Sequence, residues 1–253
     1  MERGVIRVRD VRFAFPERPV LESLSIEIGE SMTTVIIGAS GIGKSVLLKC
    51  ITGLLRPQSG SITIDGDEVV GANRRELYLI RKKIGMLFQE GALFDSLNVF
   101  ENVAFPLVYH KSCSGREIEK KVHAYLDLVS MREFVKAMPR ELSGGMKRKV
   151  AVARAMILEP RYLLYDEPTS GLDPASSAIV ESMIKRLQRE RAITSLVVTH
   201  DIDLTRYIAD RIGLLEDGRI VTLEGRDEAF SKSSAVYDHF IEKRERIRQE
   251  NAS

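Results

Sequence analysis

The chain has 253 residues, enough for one large domain or two small ones at about 100–200 residues per domain. Hydrophobic residues make up 44% and charged residues 29% of the sequence, which excludes a disordered or fibrous protein. Lysine and arginine number 38 against 36 aspartate and glutamate residues, and the net charge of +2 indicates no nucleic-acid partner. No apolar run approaches the ~18 residues that cross a bilayer, and the first residues lack the apolar block of a secretory signal. We therefore expect a folded protein that stays in the cytosol.

The first third of the sequence predicts β structure, then a loop and a helix. Apolar residues alternate with polar ones over 24–28, and SGSITIDGDEV (59–69) is typical of a strand turned by an Asp-Gly pair. The short apolar run at 33–37 predicts a buried strand, and VLLKCITGLL (46–55) has helical spacing. A glycine-rich loop separates the two, so this order gives half of a βαβ unit.

Later parts of the sequence predict a helical insertion followed by a return to α/β structure. Between residues 97 and 160 the apolar spacing predicts helices, with no convincing strand, at 98–108, 116–130 and 145–158. Beyond them it predicts strands at 161–166, 193–199, 211–216 and 219–223, and helices at 174–190 and 202–209. The α/β core is therefore expected to be discontinuous in sequence.

The first chemical motif is GASGIGKS, from Gly38 to Ser45, which fits G-x-x-x-x-G-K-S/T and lies between the predicted buried strand and helix. In such a loop, backbone N–H groups turn inward around phosphate oxygens, Lys44 adds positive charge near the β- and γ-phosphates, and Ser45 can bind Mg²⁺. The alternative is an accidental glycine-rich turn, which arises in about one chain of this length in a hundred. The sequence therefore predicts a nucleoside triphosphate site formed by Gly38, Ala39, Ser40, Gly41, Ile42, Gly43, Lys44, Ser45 and Val46.

The second motif is YLLYDEP (162–168), an apolar strand that ends in two carboxylates. We expect Asp166 to hold Mg²⁺ and Glu167 to polarise the water that attacks the γ-phosphate. Neighbouring strand residues point to opposite faces, so the two carboxylates can take different roles. An acidic pair after a strand is more often only the start of a loop, and the preceding phosphate loop is what favours the catalytic interpretation.

The third motif is LSGGMKRKVAVARAM (142–156), a Ser-Gly-Gly cap that leads into a helix with an apolar side. Ser143 is a good N-cap, and the N–H groups of Gly144 and Gly145 lie at the positive end of the helix dipole, which suits a second phosphate contact. A capped helix without a ligand is the alternative. The order of the phosphate loop, LSGG, YLLYDEP, SGLD (170–173) and a later histidine resembles an ATP-binding cassette (ABC) ATPase.

This resemblance extends from about Val5 to Gly225 and implies a fold and a domain organisation. The implied fold class is α/β: a P-loop NTPase (RecA-like) core with an antiparallel β subdomain and an inserted α-helical subdomain. The implied boundaries are a single ABC ATPase domain over 1–230 and a C-terminal tail over 231–253. Within the domain, the core would comprise 1–90 and 158–230, and the helical subdomain about 91–157.

The resemblance also implies roles for residues outside the phosphate loop. Gln89 matches the loop that senses the γ-phosphate and Mg²⁺, with Ser45 and Asp166 as the other metal ligands, and His200 matches the switch histidine that contacts the γ-phosphate. The cofactors implied are ATP and Mg²⁺. Residues that would act on ATP held by a second copy of the chain are Ser143, Gly144, Gly145 and Asp173. Met146 replaces the glutamine that commonly follows LSGG, which puts an interface contact through that side chain in doubt.

Phe15 falls where the family places an aromatic side chain that stacks on adenine. The alternative is that Phe13 and Phe15 share one face of a strand and both belong to the core. His110, His123 and His239 have no motif around them, and we expect them on the surface.

Within the family, FQEGALFDSLNVFENVAFPL (88–107) and MPRELSGGM (138–146) most resemble the ATPase subunit of Mla/Mce-type transporters, which move phospholipids or related lipids across the cell envelope. The implied partners are a second copy in a homodimer, integral-membrane permease subunits, a cytosolic regulatory subunit and a lipid-binding subunit, with no nucleic acid. The implied location is peripheral, on the cytoplasmic side of the inner membrane. The alternatives are the ATPase subunit of an importer for another substrate, and a non-transport ABC protein acting on DNA or ribosomes.

Two segments are candidates for contact with those partners. Residues 91–105 contain Leu93, Phe94, Leu97, Val99 and Phe100, an apolar density that is unusual for a loop and predicts docking of a membrane partner. The alternative is that these side chains pack the helical insertion. The tail from Ser231 has an apolar stripe flanked by charges, and it would be either a further contact or a solvated end, the stripe consisting of Val236, Phe240 and Ile247.

Overall fold

The computed structural model describes residues 5–89, 91–111, 113–231, 234 and 236–238. The described residues form two compact units, one comprising those up to Leu77 and from Leu196 onward, the other comprising Tyr78–Ser195. Within the described part of the chain, no helix has both the length and the apolar character needed to cross a membrane. Phe240, Ile247 and His239 lie outside the described residues, and Val236 is buried.

The helices and strands have the following bounds. The strands are β1 (Ile6–Phe15), β2 (Arg18–Ile28), β3 (Thr33–Ile37), β4 (Ser59–Ile64), β5 (Asp67–Glu68), β6 (Ile84–Leu87), β7 (Tyr162–Asp166), β8 (Thr194–Thr199), β9 (Arg211–Glu216) and β10 (Arg219–Gly225). The α-helices are α1 (Lys44–Ile51), α2 (Arg74–Lys82), α3 (Val99–Tyr109), α4 (Gly115–Leu128), α5 (Gly144–Met156), α6 (Pro174–Arg191), α7 (Ile202–Ile208) and α8 (Arg226–Ala229). Short 3-10 helices are Arg132–Phe134 and Pro139–Glu141.

The first unit contains an antiparallel sheet of strand order β2-β1-β4-β5. Alternating burial along β1 and β2 reflects the alternating apolar residues, because successive side chains of a strand face opposite sides of the sheet. Ile6 pairs with Ile28 on one side and with Ile64 on the other. The predicted Asp-Gly turn is confirmed: Asp65 and Gly66 both have positive φ angles, as a tight hairpin turn requires.

The first unit also carries strands in the order β10-β9-β3-β8, most of β8 belonging to this unit. Strand β3 coincides with the predicted strand, every residue of it is buried, and it runs parallel to β9. The glycine-rich loop and α1 follow β3 directly, which confirms the predicted strand-loop-helix order. The helix predicted at 46–55 begins at Lys44 and ends at Ile51, because the chain turns at Gly53 with a φ of +65°.

In the second unit, β6 runs parallel to β7, from the Ile84–Tyr162 pair to the Leu87–Tyr165 pair. The helices predicted at 98–108, 116–130 and 145–158 are confirmed as α3, α4 and α5, with ends that differ by one or two residues. At the start of α3, Asn98 and Glu101 each accept a hydrogen bond from the other's backbone N–H through their side chains. At the start of α4, the N–H and the hydroxyl of Ser114 both donate to the carboxylate of Glu117. The α/β class with a helical insertion is therefore confirmed.

The sequence interpretation missed α2 and β6. Strand β6 has four residues, IGML, and a glycine interrupts its apolar run. That glycine is needed because a methyl group on Gly85 would lie 2.4 Å from the backbone oxygen of Ala155. Helix α2 is mostly charged, but Asn73 caps it through Oδ1, which accepts from the N–H groups of Arg75 and Glu76.

Candidate functional site: a nucleotide-binding and hydrolysis centre

The loop between β3 and α1, in the first unit, has the geometry expected of a phosphate-binding loop. Gly41 and Gly43 have φ angles of +77° and +118°, which glycine adopts without steric cost. Lys44, which is 5% exposed, donates from Nζ to the carbonyl oxygens of Gly38 at 2.8 Å and Ala39 at 3.0 Å. The loop therefore folds over the lysine side chain, and its ammonium lies beside the backbone of the loop that precedes α1.

Replacing Gly43 with alanine is expected to destabilise the chain more than replacing Gly41. Either substitution places a Cβ in a backbone region that costs about 1–2 kcal/mol for residues other than glycine. A methyl group at Gly43 would also lie 2.7 Å from Cγ1 of Val20, whereas nothing lies within 4 Å at Gly41. The clash should add about 1–3 kcal/mol. Urea-induced unfolding measures both losses, and equal losses would show that Val20 moves aside.

Phe15 and Phe13 occupy different environments, which separates the two interpretations of this pair. Phe13 is 7% exposed and belongs to the core, whereas Phe15 is 42% exposed. Their rings meet edge to face at 5.0 Å between centroids, so the buried Phe13 packs against Phe15. A bulge between Phe13 and Ala14 breaks the register of the strand, so the two rings do not share one buried face. Phe15 therefore has a ring face available for stacking.

His200 directly follows β8 and is exposed. The turn at this position is fixed by Asp201, whose Oδ1 accepts from the N–H groups of Asp203 and Leu204 at the start of α7. The N–H of Asp201 donates to Oγ1 of Thr199 at 3.0 Å. These bonds on both sides hold the backbone of His200 in one place.

The two carboxylates of the second unit lie at the end of β7, whose five residues are all buried. Asp166 is 4% and Glu167 9% exposed, so both carboxylates are largely removed from water. Glu167 lies beyond the end of the strand with a φ of +46°, a strained conformation for a glutamate. Its direction is therefore set by this turn, and not by strand alternation as the sequence interpretation assumed.

The Ser-Gly-Gly cap is formed as predicted at the start of α5. The Ser143 side chain accepts from the N–H of Met146 at 3.3 Å. Ser143 and Gly144 are exposed, but Gly145 is buried, and a methyl group there would lie 2.7 Å from Oγ of Ser176 on α6. Gly145 is thus required for close packing of α5 on α6, a reason the sequence did not reveal.

Gln89 and Asp173 also belong to the second unit. Gln89 is exposed and follows the end of β6. Asp173 caps α6, its Oδ1 accepting from the N–H of Ser176 at 3.0 Å. Hydrogen bonds from the Ser176 side chain and backbone hold the pKa of Asp173 below its usual range, so this exposed residue stays a carboxylate.

Two arginines of α5 make contacts that sequence reasoning missed. Arg148, 2% exposed, donates to the carbonyl oxygens of Phe88 at 2.9 Å and Ser170 at 3.2 Å. Arg154 donates to the carbonyl oxygens of Gly91 and Ala92. The available signal was one arginine inside the apolar run VAVARAM and another two residues before it, where a charge needs partners.

A largely apolar groove of about 430 Å³ lies in the second unit beside the segment 91–105. Among its lining residues are Phe88, Ala92, Phe94, Phe105, Tyr109 and His110. His110, expected on the surface, is only partly exposed, because its ring packs 4.7 Å from that of Tyr78 and 5.1 Å from that of Tyr109. Burial and the charge of Lys82 lower the pKa of His110, so the imidazole is neutral at pH 7.

The chain is similar to proteins of one known family. The family model described as ABC transporter matches residues 21–170. The "Intermembrane phospholipid transport system ATP-binding protein MlaF" of Haemophilus influenzae is 40% identical over 92% of this chain and 88% of its own length. The "Probable ribonucleotide transport ATP-binding protein mkl" of Mycobacterium leprae is 38% identical over 95% of this chain and 70% of its own length.

Among solved structures, the dimeric post-hydrolysis state of an ATP-binding cassette bound to ADP and Pi is similar to this chain. The TM-score is 0.80 and the sequence identity 33%, over 87% of this chain and 98% of that one. These similarities confirm the P-loop NTPase core with its antiparallel and helical parts. The phosphate loop follows the end of β3, and the carboxylates lie at and just after the end of β7. The Ser-Gly-Gly cap lies at the start of α5. The chain belongs to the ABC transporter family and is an ABC-type ATPase.

Proposed function

We propose that the chain is the nucleotide-binding subunit of a membrane transporter that moves phospholipid or a related lipid across the cell envelope, of the Mla/Mce type. The observation that carries this proposal is the 40% identity, over nine tenths of the chain, to an ATP-binding protein named for intermembrane phospholipid transport. The same name is carried by a relative from Escherichia coli K12, also 40% identical. Nothing in the site itself selects a cargo, because every group in it is suited to nucleotide chemistry.

Hydrolysis is assigned to the residues of the sequence motifs. Glu167 accepts a proton from water while the water oxygen attacks the γ-phosphorus, and the bond to the bridging oxygen breaks to give ADP and phosphate. Lys44 neutralises charge on the β- and γ-phosphates, and His200 and Gln89 contact the γ-phosphate. Phe15 stacks on the adenine, for which its exposed ring supplies the surface.

A magnesium ion fits the donors assigned to it. The hydroxyl of Ser45, the amide of Gln89 and the carboxylate of Asp166 are the hard oxygen ligands that Mg²⁺ prefers, and a single carboxylate leaves room for phosphate oxygens and water. Asp166 is 4% exposed, and a bound cation would stabilise its largely buried carboxylate. When bound, Mg²⁺ would neutralise charge that develops on the phosphates.

The functional unit is proposed to be a homodimer. Ser143 and Gly144 are exposed at the positive end of the α5 dipole, where they can reach the phosphates of ATP held by a second copy. The family resemblance assigns Gly145 and Asp173 to the same contact; Gly145 is buried against α6, and Asp173 caps that helix. The similar solved structure is named as dimeric, which supports this assembly.

The groove beside the docking segment, which we define as 91–105, is proposed to receive a permease subunit. Phe94 and Phe105 are 42% and 38% exposed, and their rings pack at 4.6 Å between centroids. Val99 is buried, and Leu93, Leu97 and Phe100 are partly buried, so these four serve the packing of the segment instead. The docking prediction is therefore narrowed to the Phe94–Phe105 pair and the groove behind it.

Other partners and the location follow from the same assignment. A permease places the chain peripherally, on the cytoplasmic side of the inner membrane. A cytosolic regulatory subunit and a lipid-binding subunit complete the proposed transporter, with the tail over 231–253 as one candidate contact.

The second candidate function is powering uptake of a polar solute, which the 38% identity to a probable ribonucleotide transport protein favours.

The test is to purify the chain with its bound proteins from its native membrane and to identify proteins and lipids by mass spectrometry. We expect a permease, phospholipid above detergent background, and an ATP hydrolysis rate that changes when phospholipid is added. In a Phe105→Glu variant the permease and the lipid should disappear together. Val221→Glu is the matched control, since Val221 is an apolar side chain of β10 that is 51% exposed and lies in the other unit. A permease with a soluble solute-binding protein and no lipid would reject the lipid proposal.

A further inference from the structure

Arg154 lies in the last turn of α5 and binds the start of the docking segment through its guanidinium. Nη2 donates to the carbonyl oxygen of Gly91 at 2.8 Å, and Nη1 donates to that of Ala92 at 2.9 Å. Its Cζ lies 5.7 Å from the centroid of the Phe94 ring, within the range of a cation–π contact. One side chain of α5 therefore holds three of the first four residues of the docking segment.

The backbone that Arg154 holds has a conformation that needs external support. Gly91 and Ala92 have φ angles of +81° and +45°, and the left-handed region is unfavourable for alanine. The turn lies directly on α5: a methyl group at Gly91 would lie 3.4 Å from Cβ of Ala151 and from the backbone oxygen of Lys147. Positions 147, 151 and 154 follow one another along a single face of the helix. The docking segment thus begins on that face.

The charge of Arg154 indicates that the residue supplies directional hydrogen bonds and does not only fill space. Burial lowers the pKa of Arg154 to about 10, so the guanidinium stays charged at neutral pH but is held there at a cost. Among the described residues, no carboxylate lies within ion-pair distance of it. A methionine would fill similar volume without that cost. The two carbonyl bonds have fixed geometry, and a charged donor makes them stronger than neutral ones.

Helix α5 joins this contact to the nucleotide site. It has 13 residues and begins at the Ser143 cap proposed to contact ATP in the second copy. Arg148, six residues before Arg154, holds the carbonyl oxygen of Phe88 at 2.9 Å. Both flanks of Gln89 are therefore bound to the same helix by arginine side chains. An α-helix this short moves as a rigid rod of about 20 Å.

Resting on the proposed function, we propose that Arg154 is a positioning residue that makes the start of the docking segment follow α5 when the cap of that helix engages ATP. Without it, the turn at Gly91 and Ala92 loses its two directional bonds, and Phe94 loses the cation above its ring. The docking segment then no longer changes its position when α5 engages ATP.

The test is amide hydrogen exchange on the full chain, read by mass spectrometry over residues 91–97. In this stretch the N–H groups of Gly91, Phe94 and Leu97 donate to oxygens of Phe88, Asn102 and Phe94 respectively. All variants carry Glu167→Gln, so that ATP is retained. We expect ATP to slow exchange over 91–97 with Arg154 in place. Arg154→Gln should speed exchange there about tenfold and remove the ATP-dependent change, since bonds from charged groups are strong ones.

Two further variants separate positioning from packing. Lys149→Gln removes a cation from the same helix and should keep the ATP-dependent change, because the Lys149 side chain makes no hydrogen bond or ion pair with the described residues. Arg154→Lys keeps the charge and one of the two hydrogen bonds, so it should restore part of the ATP-dependent change in exchange. This variant also tests the inference if Arg154→Gln destabilises the whole chain. A full ATP-dependent change in either Arg154 variant, or none with Arg154 in place, would overturn the inference. If the chain without any substitution does not hydrolyse ATP, the proposed function is overturned instead.

Discussion

Steady-state ATP hydrolysis is expected to fall about 10²- to 10⁴-fold in a Glu167→Gln variant, because that is the usual contribution of a positioned general base. Glutamine has nearly the same shape as glutamate, but its amide cannot take a proton from water. Glu167 is 9% exposed and held with a φ of +46° after the end of β7, so the replacement should occupy the same place. Phosphate release under saturating ATP measures the loss.

Binding of ATP should survive in the same variant. The residues assigned to the phosphates, Lys44 and the loop N–H groups, are unchanged, as is the Ser143 cap proposed to act on the second copy. ATP held without hydrolysis should therefore accumulate a dimer, because each copy supplies one half of two composite sites. Size-exclusion chromatography with light scattering, with ATP and Mg²⁺ in the column buffer, distinguishes monomer from dimer.

The matched control is Glu159→Gln. Glu159 precedes β7 as Glu167 follows it, and it also has a positive φ, +55°. Its carboxylate is exposed and pairs with Lys121 at 3.4 Å, a contact of little consequence at a surface. Its rate of hydrolysis should stay within about twofold of the parent, since it has no role in the site. Undiminished hydrolysis in Glu167→Gln would show that another group serves as the base.

The sequence predicted those parts of the fold in which local pattern and tertiary environment agree. Strand β3 is an unbroken apolar run followed by glycines, and in the structure all five of its residues are buried. Helices α3 and α4 carry their capping residues in sequence, Asn98 with Glu101 and Ser114 with Glu117. Strand β6 gave no such signal, because its burial comes from pairing with β7, which is distant in sequence.

The candidate site followed the same division. The motifs predicted which residues carry the chemistry, since a phosphate loop and a strand-end carboxylate pair are local patterns. Arg148 reaches the carbonyl oxygen of Phe88 and Arg154 reaches that of Gly91, each about 60 residues away, and no side-chain identity reveals which carbonyl a donor will reach. His110 was placed on the surface for a similar reason, because Tyr78, which covers one side of its ring, lies on α2, an element that the sequence did not predict.

The affinity for ATP is expected to fall roughly 10- to 150-fold in a Lys44→Ala variant. A hydrogen bond to a charged group contributes about 1.5–3 kcal/mol, and every 1.4 kcal/mol is a factor of ten. The ammonium of Lys44 now donates to the carbonyl oxygens of Gly38 and Ala39, at the root of the loop. Phosphates would bind beside an ammonium already buried among loop atoms, so little water has to be removed from it.

The same geometry predicts how the loss divides between binding and turnover. Removing Lys44 leaves Glu167 unchanged. The variant should therefore show a larger change in the dissociation constant for ATP than in the rate of hydrolysis at saturating ATP. Equilibrium titration with a fluorescent ATP analogue gives the dissociation constant. The matched control is Lys49→Ala, since Lys49 lies on the same helix in its last turn, away from the loop.

The control variant removes the same charge. Its affinity for ATP should stay within about twofold of the parent, because charges that make no direct contact contribute little at physiological salt. Equal weakening by the two variants would mean that the net charge of α1, and not an ammonium held under the loop, attracts the nucleotide. Unchanged affinity in Lys44→Ala would remove the basis for calling this loop a phosphate cradle.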